Sequence, residues 1–225
     1  MYSHYGKSSV LTSRIYRSPQ REAAAAETRE RILSAAATLL SQADGISRFS
    51  LDSVAKAAAI TRLTVYNQFG SRAALLEAVL DRLALGAGLA RIPEAMADED
   101  PQSGLRRLIG IFCDFWAHDH NMVACLHAVG AKDQEFSDAV NARNERRRRT
   151  FSVLVNRLTG AGCVRSTEAG ELVDVLFALT SFSFFAELSA DGRPAGVVCR
   201  LIQNMAADAV KRAGTAKTGA RRNAR

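Results

Sequence analysis

The sequence predicts an all-α protein: an N-terminal three-helix unit of helix-turn-helix type followed by a larger C-terminal helical unit. Three observations predict it. Apolar residues recur at intervals of three and four along most of the chain, and no segment keeps a strict period-two alternation long enough for a strand. Chain breakers gather at one internal place, Ile92 to Gln102, with Pro93, Asp98, Glu99, Asp100 and Pro101. The expected division is a flexible basic arm over 1–26, a first domain over 27–91, a second over 92–212 and a disordered basic tail over 213–225.

Ile32, Leu33, Ala36, Leu39, Leu40 and Ala43 place one apolar stripe on a helix from about Glu27 to Gln42, and Asp44-Gly45 suits a left-handed turn after it. Ser50 can cap a second helix, with Asp52 in its first turn and Leu51, Val54 and Ala55 facing inward. Thr61 can cap a third, running to about Gln68; Gly70-Ser71 then breaks and recaps the chain. The fourth helix is lined by Leu75, Leu76, Val79, Leu80 and Leu83 and ends before Pro93. Later helices are predicted near 103–118, 121–130, 134–159, 167–190 and 194–212.

The chain has 225 residues, 48% hydrophobic content and four prolines, enough to bury a real core. No apolar run approaches the roughly 20 residues of a membrane span, and the N-terminus lacks a signal pattern, so a cytoplasmic protein with no membrane partner is expected. Cys113, Cys125, Cys163 and Cys199 lie far apart with no C-x-x-C pair, the pattern of reduced thiols rather than of zinc ligands or a disulfide framework. His118-Asp119-His120 is not read as a metal site, since residues two apart on a helix point in different directions. No cofactor motif is present, and the absence of P-loop, G-x-S-x-G or H-E-x-x-H patterns argues against an enzyme.

The net charge of +7 belongs to the ends of the chain. Residues 1–21 and 211–225 together hold ten basic groups and no acid, which leaves residues 22–210 at −3. A case for nucleic acid must therefore rest on the interior, and there it rests on Ile60–Arg72, I-T-R-L-T-V-Y-N-Q-F-G-S-R. On a helix starting after Thr61, Val65 and Phe69 are four apart and turn inward, while Arg62, Leu63, Thr64 and Asn67 face out. Arg can bond guanine bidentately, Asn can do so with adenine, and a Leu or Thr methyl can touch thymine in the major groove. Tyr66 can reach a phosphate through its hydroxyl, and Ser71 with Arg72 offers a capped helix N-terminus and a cation to the backbone. Each has a plainer reading: Tyr66 as a core-edge aromatic, Arg62 and Asn67 as solvated residues, Arg72 as the partner of a nearby acid.

Residues 28–85 resemble the DNA-binding domain of the TetR family of bacterial transcriptional regulators. The resemblance is carried by T-R-E-R-I-L-S-A-A-A-T-L-L (Thr28–Leu40), F-S-L-D-S-V-A-K-A-A (Phe49–Ala58) and T-R-L-T-V-Y-N-Q-F-G-S-R-A-A-L-L (Thr61–Leu76). It implies phosphate contacts at Thr28, Tyr66 and Arg72 and a base-facing set of Arg62, Leu63, Thr64 and Asn67, with the caps Ser50 and Thr61 completing the DNA-binding residues. It also implies a homodimer, an operator in double-stranded DNA, and a C-terminal domain that binds a small effector and dimerises through its last two long helices. Ala59 departs from the pattern, standing where glycine is common in the turn; Leu63 and Gln68 replace a usually small residue and a frequent histidine.

In the second domain, Phe112, Phe115, Trp116, Met122, Leu126 and His127 cluster on two predicted helices, where they either wall a pocket for an apolar or amphipathic effector or simply fill the core. Cys113 and Cys125 are weighed there as a redox pair. Arg143–Arg149, R-N-E-R-R-R-R, reads as the solvated face of a long helix offset by Glu145 and Asp138. Residues 172–185 are apolar nearly all round, so Leu176, Leu179 and Phe182, with Val198, Leu201, Ile202 and Met205, are assigned to an intermolecular four-helix bundle, the alternative being a hairpin buried within one chain. The expected function is a ligand-responsive, sequence-specific transcriptional regulator, a repressor released from a palindromic operator by a small effector. The competing reading is a sequence-nonspecific architectural DNA-binding protein acting through the basic ends.

Overall fold

The structure is a computed structural model that describes residues 19–42, 44–131 and 133–214. Twelve α-helices and two short 3-10 turns make up the described chain, with no strand among them. The expected arm and tail lie mostly outside these residues; where they are described, 19–26 open the first helix and 213–214 close the last.

The first domain is built from α1 (Pro19–Leu40), α2 (Gly45–Arg48), α3 (Leu51–Ala57), α4 (Arg62–Phe69) and α5 (Arg72–Gly86). α1 packs on α3 and α5, and α3 packs on α4, around Ile32, Leu33, Ala36, Leu40, Val54, Val65, Leu75 and Leu76. Each of these Ile, Leu and Val side chains contributes about 1.5–3 kcal/mol by leaving water, and Ala36 less. α1 starts eight residues before the expected Glu27, because P-Q-R-E-A-A-A-A is a strong helix-forming run that needs no buried face to propagate. Gly45 is not in a left-handed conformation as its pairing with Asp44 predicts. Its requirement is space: a Cβ there would lie 2.5 Å from the Leu39 carbonyl oxygen.

The turn between α3 and α4 has Schellman geometry. Ile60 N–H donates to Ala55 O at 3.0 Å and Ala59 N–H to Lys56 O at 3.2 Å, which forces Ala59 to φ +53°. An L-residue other than glycine is strained there, and Ala59 is exposed, so its methyl packs on nothing that offsets the strain.

The second domain comprises α6 (Ile92–Met96), α7 (Pro101–His118), α8 (His120–Gly130), α9 (Gln134–Gly160), α10 (Ala169–Leu179), α11 (Phe182–Ser189) and α12 (Ala195–Gly214). The segment read as the internal boundary holds α6, with Pro93 in its first turn and Ala95 buried against α7. Arg157 of α9 clamps it by donating to the carbonyls of Met96 (2.7 Å) and Asp98. Helices α7, α9, α10 and α12 close a ring in which each packs on the next.

The single helix expected over 167–190 is broken. α10 and α11 meet at 52° around Thr180 and Ser181. Ser181 caps α11 by accepting from Phe184 N–H at 3.2 Å, and the Thr180 carbonyl accepts from Trp116 Nε1 at 3.0 Å and from Arg147 Nη1. Most apolar residues of this bent pair face the core, with Val175 left exposed, and no single helix among those described is long and apolar enough to cross a membrane.

Replacing Ala59 by glycine removes the left-handed strain while enlarging the entropy of the unfolded chain, with a net stabilisation of about 0.5–1 kcal/mol expected. Urea unfolding of Ala59→Gly against wild type measures it; an unchanged or lower midpoint contradicts the strain.

Candidate DNA interface and interior cavity

Recognition-type geometry is present in α4. Val65 is wholly buried, and Phe69 packs half-buried beneath the Arg29 guanidinium, 4.3 Å from its ring centre. Arg29 also donates to the Gln68 carbonyl at 3.3 Å, so α1 holds the far end of α4. The opposite flank stands in solvent: Leu63 is 66% exposed, Tyr66 56%, and Arg62 and Asn67 are exposed beside them. An exposed leucine and tyrosine on an eight-residue helix leave apolar surface that a groove can cover.

The remaining DNA-binding candidates have internal partners. Ser50 forms a reciprocal capping box with Ser53. Thr61 accepts from Thr64 N–H at 3.2 Å, and the two hydroxyls share a 2.9 Å bond, so Thr64 presents chiefly its methyl. Arg62 lies 3.3 Å from Asp52 in an exposed pair, and Thr28 donates back to Ala24 O within α1. Arg72, read as a phosphate contact or as the partner of a nearby acid, sits 2.6 Å from Asp133, an acid between α8 and α9, with Phe49 below it.

That pair belongs to a polar seam joining the two domains. Asp133 uses Oδ1 to cap α9 (Phe136 N–H, 3.1 Å) and Oδ2 to hold Arg72. Asp119 repeats the arrangement, capping α8 at Met122 N–H (3.0 Å) and accepting from Ser41 Oγ at 2.9 Å. Ser71, the cap of α5, donates to Glu135 at 3.0 Å, and Arg143 reaches Glu77 (3.3 Å) and Asp81 (2.7 Å) on α5. The start of α5, directly after α4, is thereby fastened to the start of α9.

Between these helices lies a cavity of about 560 Å³. Five of the six pocket candidates line it: Phe112, Phe115, Trp116, Leu126 and His127. Met122 is buried elsewhere in the core. Leu80 and Ala84 of α5, with Leu89 and Ile92, complete an apolar wall, while α9 contributes a polar stripe of Ser137, Asn141, Asn144, Arg147 and Thr150. His127 stacks on Phe182 at 4.7 Å, and the protein around it, then the Arg147 cation, lowers its imidazole pKa below the ordinary value. The Cys113 thiol pairs with Cys199 rather than Cys125, and this hydrogen bond, with burial, pushes its pKa up.

The predicted helix over 134–159 is present as α9, but its basic run is only partly the solvated face it was expected to be. Within Arg143–Arg149, Glu145, Arg146 and Arg149 are exposed as expected, but Arg147 is 8% exposed, and Arg143 and Arg148 are drawn to Asp81 and Asp174. The signal was available, because Phe136, Val140, Arg143, Arg147, Phe151, Leu154 and Leu158 recur at three and four, which puts Arg147 inside the apolar stripe. The assigned dimer residues also divide. Leu176, Leu179, Phe182, Val198 and Ile202 are covered within the chain because α10 and α12 complete the intramolecular ring. Leu201 and Met205 remain 37% exposed, alongside Val197 and Val175 at 39%.

Residues 32–79 match the family model described as bacterial regulatory proteins, tetR family. No curated protein matches the sequence. Among solved structures, a putative TetR-family transcriptional regulator from Syntrophomonas wolfei superposes with a TM-score of 0.68 at 13% identity, over 82% of this chain and 95% of that one. A putative transcriptional regulator from Saccharomonospora viridis in complex with choline gives 0.63 at 20% identity (80% and 95%), and a SmeT–triclosan complex 0.64 at 18% (81% and 91%). Residues 32–79 thus carry the match to that family's model, and the described chain has the fold of these regulators.

Proposed function

We propose that the chain is a homodimeric, cytoplasmic transcriptional repressor that leaves a palindromic operator when a small apolar or amphipathic molecule fills the cavity. One observation carries this reading: α5 and α9 both wall the cavity, and their N-termini are tied at Ser71–Glu135 and Arg72–Asp133, immediately after the recognition helix. A ligand that separates these helices displaces α4. Release requires the ligand to bind the displaced conformer more tightly, since equal affinity for both would shift nothing. The choline and triclosan complexes among the structural relatives support a small-molecule site in this fold.

Two copies of α4 read successive major-groove faces when held roughly 34 Å apart. The dimer face proposed is the exposed apolar row Val197, Leu201 and Met205 on α12, with Val175 beside it on α10. This row replaces the residues already covered within the chain.

Selection of bound fragments from random duplex DNA should return a palindrome; retention of random and selected DNA with equal affinity contradicts sequence-specific recognition. On the selected site, Asn67→Ala should cost about 1–3 kcal/mol and relax preference at one base position, whereas Tyr66→Phe should weaken all sequences alike. Leu201→Glu should convert the dimer to a monomer with unchanged helicity, read by analytical ultracentrifugation at micromolar concentration; a persistent dimer excludes this face. Asp133→Asn keeps a competent helix cap but loses the charge that holds Arg72. It should preserve folding while reducing effector-driven release by a factor of about five or more, within the usual range of coupling energies, as measured by operator titration with and without ligand.

A further inference from the structure

Arg147 is the one buried charged side chain among the described residues, and no carboxylate neutralises it. Its Nη1 donates to the Thr180 carbonyl, and Phe177 and Phe112 lie against the guanidinium at 4.2 and 5.8 Å from their ring centres. Nε is buried and has no hydrogen-bond partner. A guanidinium offers two planar edges to an acceptor, and Nη1 already serves the protein, so the edge made by Nε and Nη2 is left over. A buried donor without an acceptor is costly unless something else supplies one, and two aromatic faces lower the cost of the charge without satisfying the N–H groups.

The charged groups on the cavity wall that holds Arg147 are mostly cationic. Arg147 is part of the cavity wall, and Arg143 and Arg146 stand on the same wall from α9. The cavity's carboxylate, Asp81, is engaged by Arg143 at 2.7 Å. His127 adds no full positive charge at neutral pH, since its surroundings favour the neutral ring. Asn144, one turn before Arg147 on α9, provides a neutral donor and acceptor beside the cation, and the far wall of Leu80, Ala84, Leu89 and Ile92 is apolar. A ligand that fits has one anionic end and an apolar body.

Resting on the reading of this cavity as the effector site, we propose that it is a carboxylate-binding pocket: the effector is an apolar monocarboxylic acid whose carboxylate is held by the Nε–Nη2 edge of Arg147. A planar carboxylate matches this edge bidentately, with Asn144 as the adjoining polar contact. The ligand's oxygens also engage the side chain that secures the α10–α11 break at Thr180, so occupancy bears directly on the geometry of that bend.

Calorimetric titration of the full chain with sodium decanoate, 1-decanol and decylammonium chloride, all below micelle-forming concentrations, tests the proposal. Decanoate should bind at least about tenfold more tightly than decanol, the scale of one charge-assisted contact, and decylammonium should not displace it. Quenching or shift of the single tryptophan, Trp116, which lines the cavity, locates the binding event. Arg147→Met should abolish the preference for decanoate over decanol, and Arg147→Lys should retain only part of it, because an ammonium cannot reproduce the planar fork. If Arg147→Met does not fold, the wild-type ligand series decides. Equal binding of decanol and decanoate, or decanoate affinity unchanged in a folded Arg147→Met, overturns the carboxylate assignment while leaving an effector cavity standing. Failure of both decanoate and decanol to bind overturns it as well. Tight decanoate binding with unaltered operator affinity leaves the carboxylate pocket intact and contradicts the regulatory reading instead.

Discussion

Two aspartates set the relation between the halves of this molecule. Asp119 and Asp133 each cap a helix of the second domain with one carboxylate oxygen and bind a residue of the first domain with the other, Ser41 and Arg72 respectively. A carboxylate at a helix N-terminus is held in place by backbone N–H groups and by the helix dipole, so its second oxygen is a fixed acceptor rather than the end of a mobile side chain. The first domain is therefore positioned by the starts of α8 and α9. Any rotation of those helices moves the acceptors that Ser41 and Arg72 follow.

The cavity lies where such a rotation can be driven. Its walls are α5, which follows α4 after one glycine and one serine, and α7, α8 and α9, which meet the first domain through the seam. Apolar packing alone would let these helices slide with little directional preference, whereas the ion pairs of Arg143 with Glu77 and Asp81 and the contacts of Ser71 and Arg72 fix a register. These pairs are partly exposed, so each adds little to overall stability. What they select is one arrangement of α5 on α9 among several that would bury similar area.

The same logic explains the break between α10 and α11. A continuous apolar helix would leave the Trp116 indole N–H and the Arg147 guanidinium without an acceptor in the core, and the freed Thr180 carbonyl supplies it to both. Thr180 returns its own hydroxyl to the Leu176 carbonyl at 2.8 Å, so the donors and acceptors at the bend are used with the exception of Arg147 Nε. Bend, cavity wall and buried cation are one structural unit.

Sequence by itself determined the helical class, the order of the major helices, the caps Ser50, Thr61 and Ser71, and the inward placement of Val65, because these depend on periodicity and on bonds within a few residues. It also marked Ala59 as the position where a side chain meets a turn that favours glycine, and the backbone there is left-handed. Tertiary structure decided the rest. Which acid Arg72 meets, an aspartate 61 residues away, was not legible in the run that contains it. Leu176, Val198 and Ile202 were covered within the chain, and Arg147 moved from a supposed solvated run into the core. The physical reason is common to all three: an apolar stripe or a basic run states that a face needs a partner, while which surface or charge meets it depends on contacts between helices far apart in the chain.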